Sequence, residues 1–172
     1  MSKIRVGIDP GKKGALVEIV DGVVTKKCST PLIGNEYDIA SMNELISAYT
    51  GKENVMVLLE DVHSLGGVSA AANASLMENK GVWIGLLMAN KVPFTLVTPK
   101  EWQSFSWSGV EKVLKEKKSD NDRNITDTKA TSEKAAIKLY PNVDLRKSSR
   151  AKKNDDGFID SLLMAHYAYH KL

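Results

Sequence analysis

Four acidic residues stand at positions from which side chains commonly reach a ligand. Asp9 follows an alternating apolar stretch, and Glu60 directly follows the apolar run at residues 55–59. Asp156 and Asp160 lie four residues apart in a helical pattern near the C-terminus, so both project from one face. Because strand ends and helix starts present side chains at the edge of an α/β sheet, we expect these four carboxylates to share one small volume.

A cluster of carboxylates favours the binding of hard divalent cations. Neighbouring negative charges repel one another unless cations lie between them. Carboxylate oxygens select Mg²⁺ or Mn²⁺ rather than zinc. Two such ions about 4 Å apart would activate a water molecule and stabilise the leaving oxygen of a phosphodiester. We therefore predict a two-metal phosphoryl-transfer site whose ligands are Asp9, Glu60, Asp156 and Asp160.

Some of these acids also have a purely structural explanation. Asp9 precedes a proline and would fit a turn. Asp155 and Asp156 would fit the first turn of a helix, where the helix dipole favours acids. Glu60 and Asp160 are harder to explain in this way, because acids in apolar surroundings are rare unless they are paired. The joint pattern, rather than any one position, indicates a metal site.

Strand and helix patterns alternate along the chain and must position these acids. Strand patterns occupy residues 4–9, 15–20, 23–27, 55–59 and 93–97, and the dipeptide Asp21-Gly22 predicts a tight hairpin. Helical spacing occupies residues 38–48, 76–90, 128–140 and 156–172, with a loop of small residues at 64–75. The order predicts an α/β domain with a mixed central sheet, three antiparallel strands followed by parallel ones, flanked by helices.

Charge is distributed unevenly along the chain. The net charge is +3, yet residues 100–153 contain 14 Lys and Arg against 8 Asp and Glu, so this half carries +6 and the remainder −3. A basic half beside an acidic half suits a protein that holds a polyanion with one surface and cations with another. A solvated, lysine-rich loop explains the same charges equally well.

Size and cysteine content place further bounds on the protein. The length of 172 residues suits a single domain, and we expect a basic, exposed and mobile segment at about residues 104–127. The lone Cys28 excludes an internal disulfide framework and fits a reducing compartment. Neither a secretory signal nor an apolar run long enough to span a bilayer is present, so a cytoplasmic location without membrane partners is expected.

Five sequence blocks, in this order, resemble the RuvC family of Holliday-junction resolvases, most closely its bacteriophage form. The blocks are GIDPGKKGA at 7–15, LLEDVHSLGGVSAA at 58–71, TPKEWQ at 98–103, DTKATSEKAAIKLYP at 127–141 and DDGFIDSLLMAHY at 155–167. The resemblance implies an RNase H-like fold, a homodimer, Mg²⁺ or Mn²⁺, and symmetric nicking of four-way DNA junctions. For a phage-encoded protein, the compartment would be the bacterial host cytoplasm.

The same resemblance assigns roles to individual residues. It places catalytic carboxylates at Asp9, Glu60 and Asp160. For the mechanism, we expect Asp9 to bridge two metal ions. Lys129 resembles a basic residue that the family keeps near the scissile phosphate.

The fourth carboxylate departs from the family pattern. Many relatives carry an acid or histidine three residues before the last Asp, and that position here is Gly157. Asp156 faces the same way on a helix and is assigned the role, with Asp155 as the reserve.

Branched DNA would be held by basic side chains along the chain. Trp102 is expected in the core, whereas Trp107 is open between core packing and stacking on unpaired bases. His63 would either contact DNA or serve as an ordinary polar loop residue. The expected DNA-binding residues are Lys12, Lys13, His63, Lys100, Lys117, Lys118, Arg123 and Lys129.

A homodimer would match the symmetry of a four-way junction, which is resolved by two nicks at a fixed separation. The segment at residues 76–90 is apolar almost all round, which predicts a helix with one side on the sheet and the other on a partner. We expect Trp83 rather than Met88 to face the partner, because large aromatic residues dominate interface energetics. A helix enclosed within the monomer core is the alternative.

Three other functions fit parts of the sequence. The block GIDPGKKGA also resembles a phosphate loop of actin-like ATPases, but these need two such domains, and no second loop is found. A non-catalytic DNA-binding scaffold predicts the loss of a core carboxylate, yet all are present. A RuvC-like nuclease that acts mainly on flaps, forks or other phage DNA intermediates fits as well as a junction resolvase.

Overall fold

A mixed five-stranded sheet is the framework of the chain. The computed structural model describes residues 1–63, 67, 69–116 and 123–172. The strands are β1 (Ile4–Asp9), β2 (Ala15–Val20), β3 (Val23–Ser29), β4 (Leu32–Ile33), β5 (Glu36–Tyr37), β6 (Val55–Glu60) and β7 (Phe94–Val97). The main sheet has the order β3-β2-β1-β6-β7, and β4 and β5 form a separate small hairpin. The first three strands are antiparallel, whereas β6 and β7 run parallel to β1, which confirms the predicted fold class.

In the ranges of the chain that the structure describes, five helices flank the sheet, and most begin at a side-chain cap. They are α1 (Ile39–Ser47), α2 (Ala70–Ala89), α3 (Pro99–Ser106), α4 (Thr128–Leu139) and α5 (Asp156–Lys171). Asp38 caps α1 by accepting a hydrogen bond from the Ser41 amide. Asp127 and Asp155 cap α4 and α5 in the same way, because a carboxylate satisfies amides that have no partner within the helix.

Two helix predictions need correction. Helix α2 begins at Ala70 rather than at residue 76, because Ser69 accepts from the Ala72 amide and a run of alanines with high helix propensity follows it. Helix α3 was not predicted at all. It begins at a capping box in which Thr98 and Glu101 satisfy each other's backbone amides, with Pro99 at the first helical position.

The two faces of the sheet build two hydrophobic clusters. Val6, Ile8, Val57 and Leu59 point towards one face, where they pack with side chains of α1 and α2. Leu58 and the β2 side chains at positions 15, 17 and 19 point to the other face and pack with α3, α4 and α5. Because alternate residues of a strand face opposite sides, Asp9 and Glu60 lie on the α5 side.

Helix α5 lies unusually close to β1. A side-chain carbon added at Gly7 would lie 2.0 Å from the Ser161 carbonyl oxygen and 2.7 Å from the Ala165 amide nitrogen. Glycine therefore allows the helix backbone to rest directly on the strand that ends at Asp9. This close packing brings Asp160 to the same edge of the sheet.

The prediction that Trp83 faces a partner subunit is wrong. Trp83 is 0% exposed and packs with Leu87 against the sheet, in the cluster that contains Val6 and Leu59. The apolar side chains that α2 leaves exposed are instead Met77 and Met88, which are 40% and 67% exposed. The large aromatic side chain serves the core because it has the most apolar area to bury.

The expected basic segment is only partly described. Residues 113–115 and 125–127 are joined by backbone hydrogen bonds from Lys115 to Ile125 and from Asp127 to Val113. Most side chains in the described part of this segment between 111 and 127 are exposed, whereas residues 104–106 belong to helix α3. Within the described ranges of the chain, none of the helices has the length and apolar character needed to cross a membrane.

Candidate active site

Asp9 and Glu60 end two neighbouring parallel strands. The register pairs Ile8 of β1 with Leu59 of β6, so the two acids stand one residue further along their strands. Both side chains project towards α5, since residues of the same register and parity share one face of a sheet. Glu60 is 8% exposed, and Asp9 is half-buried. The strand pairing alone therefore brings two of the predicted carboxylates together.

Asp160 joins them through the residue that follows it. The Asp9 amide donates to the Ser161 hydroxyl at 3.2 Å, and this hydroxyl donates to the Ala15 carbonyl at 2.8 Å. Ser161 thus ties α5 to the end of β1 and the start of β2. It is fully buried, and the sequence analysis missed it. The available signal was a single hydroxyl in the otherwise apolar run that follows Asp160.

The electrostatics of the site show how strongly the acids interact. Burial, together with the charges of Glu60 and Asp160 and those of Asp155 and Asp156, raises the pKa of Asp9 well above its ordinary value. Burial, Glu60 and Asp156 raise the pKa of Asp160 to about 7. Burial also raises the pKa of Glu60. Such coupled shifts are expected where carboxylates crowd together without a cation between them.

Two indole rings form hydrogen bonds at the carboxylate cluster, one with an acid and one with a neighbouring hydroxyl. The Trp102 indole donates to a Glu60 carboxylate oxygen at 3.0 Å, and this hydrogen bond opposes the upward shift of the Glu60 pKa. The Trp107 indole donates to the Ser132 hydroxyl at 3.2 Å, and a hydrogen bond with Ser132 lowers the pKa of Asp160. The predicted core position of Trp102 is confirmed, but its contact with Glu60 was not foreseen.

The structure separates the roles of Asp155 and Asp156. Asp155 accepts a hydrogen bond from the Phe158 amide at 3.1 Å as the cap of α5. Asp156 is exposed and forms an ion pair with Lys129, which raises the Lys129 pKa. A side chain at Gly157 would lie 2.5 Å from the Lys13 carbonyl oxygen. No ligand side chain fits at that position. The charges of Asp155 and Asp156 both raise the pKa of Asp9, and of these two acids Asp156 lines the cleft described below.

A cleft of about 630 Å³ opens onto the acids. Asp9, Asp156 and Asp160 line it, whereas Glu60, which is 8% exposed, does not. The opposite side is formed by the hairpin of β4 and β5 and the first turns of α2. Its charged lining residues are Asp9, Lys12, Lys13, Lys129, Asp156 and Asp160. The cleft therefore combines a carboxylate cluster with three ammonium groups, the composition expected where a phosphate group meets divalent cations.

The donor atoms of the site are of the kind that binds a hard divalent cation. The donor set is made of carboxylate oxygens that raise one another's pKa, and a cation would relieve this repulsion. Across the parts of the chain that the structure describes, no group of three or more His, Cys, Asp and Glu side chains is already arranged to hold a metal ion. Binding would therefore require the carboxylates to close around the ion.

The other expected DNA-binding residues are scattered. Lys100 lines a second cavity with Trp107 and Lys112, at the surface of α3. His63 is exposed, with its imidazole nitrogen 3.5 Å from an Asp61 carboxylate oxygen. Arg123 is exposed. Lys117 and Lys118 lie outside the described residues.

Proteins of known structure share this architecture. No family model matches the sequence, and no curated protein matches it. Among solved structures, Thermus thermophilus RuvC in complex with a Holliday junction substrate superposes with a TM-score of 0.57, covering 98% of this chain and 96% of that one. The chain has a RuvC-like fold.

A second structure of Thermus thermophilus RuvC gives the same result. Its TM-score is 0.55, and the match covers 96% of this chain and 95% of that one. Sequence identity to both RuvC structures is 14%, so the likeness is one of fold. The RNase H-like architecture predicted from the sequence blocks is thereby confirmed.

Proposed function

We propose that this chain is a metal-dependent endonuclease that nicks four-way DNA junctions or related branched DNA. The observation that carries the proposal is the convergence of carboxylates from β1, β6 and α5 at one sheet edge of a RuvC-like fold. The similar RuvC structure contains a Holliday junction substrate, which supports branched DNA as the substrate class.

Each acid has a part in the proposed site. Asp9 and Asp160, which both line the cleft, would hold two Mg²⁺ or Mn²⁺ ions, with Glu60 and Asp156 completing the ligand set. Such ions supply Lewis-acid stabilisation of a phosphodiester and make water a better nucleophile at neutral pH. The Trp102 indole holds the Glu60 carboxylate in one orientation, so that less rearrangement is needed when a cation binds.

Lys129 would offset charge on the phosphate. Its ammonium group pairs with Asp156 at the mouth of the cleft and is largely exposed. A phosphate entering the cleft would therefore meet a cation that is already directed towards the acids. Lys12 and Lys13 line the same cleft and would hold the adjoining backbone, with Lys100, Arg123 and the remaining predicted basic residues further out.

We also propose that the active form is a homodimer built on the outer side of α2. This side presents Met77 and Met88, and between them Gly81 and Gly85, where an added side-chain carbon would meet nothing within 4 Å. Small residues between two exposed methionines allow a second helix to approach closely. A two-fold arrangement would supply the two active sites that paired nicks require.

Cleavage of defined DNA tests the function. We expect the wild-type chain to nick end-labelled four-way junctions in the presence of Mg²⁺ but not without it. Asp9→Asn and Asp160→Asn should each retain less than about a tenth of the cleavage, because each removes a cation ligand. Junction binding in gel-shift assays should persist, since removing negative charge does not weaken attraction to a polyanion. Asp144→Asn, an exposed acid paired with Arg146 instead, is the matched control.

The panel of substrates separates the alternatives. Faster nicking of forks or flaps than of four-way junctions would assign the chain to other branched intermediates. Binding to all of them without metal-dependent cleavage would indicate a DNA-binding scaffold and contradict the nuclease proposal.

A further inference from the structure

Helix α2 reaches the turns that follow both strands of the candidate site. The Gly11 amide, two residues after Asp9, donates to the Asn79 side-chain oxygen at 2.7 Å. The Lys80 ammonium donates to an Asp61 carboxylate oxygen at 2.5 Å and to the Val62 carbonyl at 3.0 Å. Two adjacent residues of one helix therefore hold the backbone just beyond Asp9 and just beyond Glu60.

These contacts come from the part of α2 that follows its cleft-lining first turns. Asp9 and Glu60 project towards α5, whereas α2 packs on the opposite face through Trp83 and Leu87. Asn79 and Lys80 lie on no wall of the catalytic cleft, so they are not placed to touch a substrate there. Any influence on the acids must pass through the turns that they hold.

Both side chains are buried at a cost that packing does not explain. Asn79 is 0% exposed and Lys80 is 8% exposed, although lysine is rarely buried. The Gly11 amide fixes which end of the Asn79 carboxamide faces the turn, because only its oxygen can accept. Its nitrogen then finds no hydrogen-bond partner within the described ranges. An apolar side chain would avoid this unsatisfied donor, so the hydrogen bond to the Gly11 amide is the contact that accounts for a buried asparagine here.

We propose that Asn79 and Lys80 are positioning residues that fix the separation of Asp9 and Glu60 for cation binding. The inference rests on the proposed metal-dependent function and names residues outside the carboxylate set. Strands β1 and β6 are neighbours, and their pairing with each other ends at Ile8 and Leu59. Asp9 and Glu60 pair instead with β2 and β7 on their outer sides, so no ladder contact joins the two acids directly. The clamp on both turns limits how far these ends can move apart. Carboxylates held at the correct spacing lose less free energy when they close around an ion.

Mn²⁺ affinity of the full-length protein tests this directly. Free Mn²⁺ is measured by electron paramagnetic resonance in titrations of wild type, Asn79→Ala and Lys80→Met. We expect each variant to bind Mn²⁺ at least about 10-fold more weakly, the usual effect of removing a residue that orients metal ligands. Lys80→Arg keeps a buried donor and positive charge and should recover most of the affinity.

Asn90→Ala is the matched control on the same helix. The Asn90 side chain donates to the Asn43 side-chain oxygen and the Leu86 carbonyl, each at 2.9 Å, and is remote from the acids. It should leave Mn²⁺ affinity within about twofold of wild type. Hydrogen exchange of the metal-free protein gives a second measurement, in which Asn79→Ala should accelerate exchange of the Gly11 amide and Asn90→Ala should not.

The possible outcomes are distinct. Wild type that binds no Mn²⁺ would overturn the metal site and this inference together. Wild type that binds Mn²⁺, with Asn79→Ala and Lys80→Met binding equally well, would overturn the clamp and leave the proposed function standing. Equal weakening in Asn79→Ala and Asn90→Ala would show a general effect of loosening α2 and would also overturn the clamp. If Asn79→Ala does not fold, the comparison of Lys80→Met with Lys80→Arg decides.

Discussion

At the residue scale, burial and charge repulsion act together on the carboxyl group of Asp160. Its pKa rises from 3.8 to about 7 through burial and the charges of Glu60 and Asp156, while Lys129 and Ser132 act in the opposite direction. A carboxyl whose pKa is raised by folding binds its proton more tightly in the folded state. The metal-free protein should therefore lose stability as the pH rises from about 4 to about 7, and a bound cation should restore it.

The substitution Asp160→Asn tests the expected loss of stability with rising pH. At pH 8 without metal, the free energy of unfolding of the variant should exceed that of wild type by about 1 kcal/mol or more, because the substitution removes a charge that folding buries. The difference should disappear near pH 4, and Mg²⁺ should raise the melting temperature of wild type only. Chemical denaturation across this pH range measures the effect.

Asp144→Asn should behave in the opposite way. Hydrogen bonds from Arg146 hold the pKa of the Asp144 carboxyl below its ordinary value, so the folded state favours its charged form. Its loss should destabilise the protein at pH 8 and matter less as the pH falls towards 2. Identical pH profiles for the two variants would contradict the electrostatic account.

At the scale of elements, the position of α5 depends on the absence of a side chain. Gly7 lets the helix backbone lie against β1, and Ser161 then bridges β1, β2 and the helix. Asp160 reaches Asp9 only because of this close packing.

The substitution Gly7→Ala should push α5 away from the sheet. The added carbon would lie 2.0 Å from the Ser161 carbonyl oxygen, which is backbone and cannot rotate away. We expect a loss of about 1–3 kcal/mol in the free energy of unfolding, typical of overpacking, together with weaker Mg²⁺ binding. Denaturation followed by tryptophan fluorescence measures the first and calorimetry the second.

Gly81→Ala is the matched control. This glycine lies inside α2, and its added carbon would meet nothing within 4 Å. In dilute protein, where subunit association does not contribute, the change should stabilise the chain by about 0.5–1 kcal/mol. Equal effects at both glycines would show that the contact with Ser161 does not set the position of α5.

At the scale of the whole molecule, α2 serves two surfaces. Its inner side packs Trp83 and Leu87 on the sheet and, through Asn79 and Lys80, holds the turns of the site. Its outer side leaves Met88 67% exposed. An exposed apolar helix face of this kind is common where subunits meet.

The substitution Met88→Asp should separate the subunits. We expect wild type to sediment as a dimer at micromolar concentration and Met88→Asp as a monomer, because a charge would be buried without a partner. The monomer should still nick a junction once while losing paired nicks in a single binding event. Ile137→Asp, which places the same charge on an exposed apolar residue of α4, is the control and should remain dimeric. A wild-type monomer that makes paired nicks would contradict the dimer.

Local patterns carried much of the architecture. Alternating apolar residues predicted β1, the Asp21-Gly22 turn predicted the hairpin, and the apolar run before Glu60 predicted a buried strand. Each depends on neighbours within one element, which a sequence displays directly. Helix α3 escaped prediction although the sequence carried two signals for it. Trp102 and Phe105 have helical spacing, and Thr98 and Glu101 form a capping box, but the helix is only eight residues long.

The acids of the candidate site could also be predicted from the sequence. Their residue types, and their places at strand ends and at the start of a helix, follow from local sequence. The residues that hold these acids, or the backbone beside them, could not be predicted in this way. Trp102 reaches Glu60 across 42 residues, Ser161 reaches Asp9 across 152, and Asn79 reaches Gly11 across 68. Tertiary packing likewise decided which face of α2 contacts the core, and therefore that Trp83 is buried. Contacts between distant segments arise only when elements are laid against one another, and periodicity within one element cannot specify its neighbours.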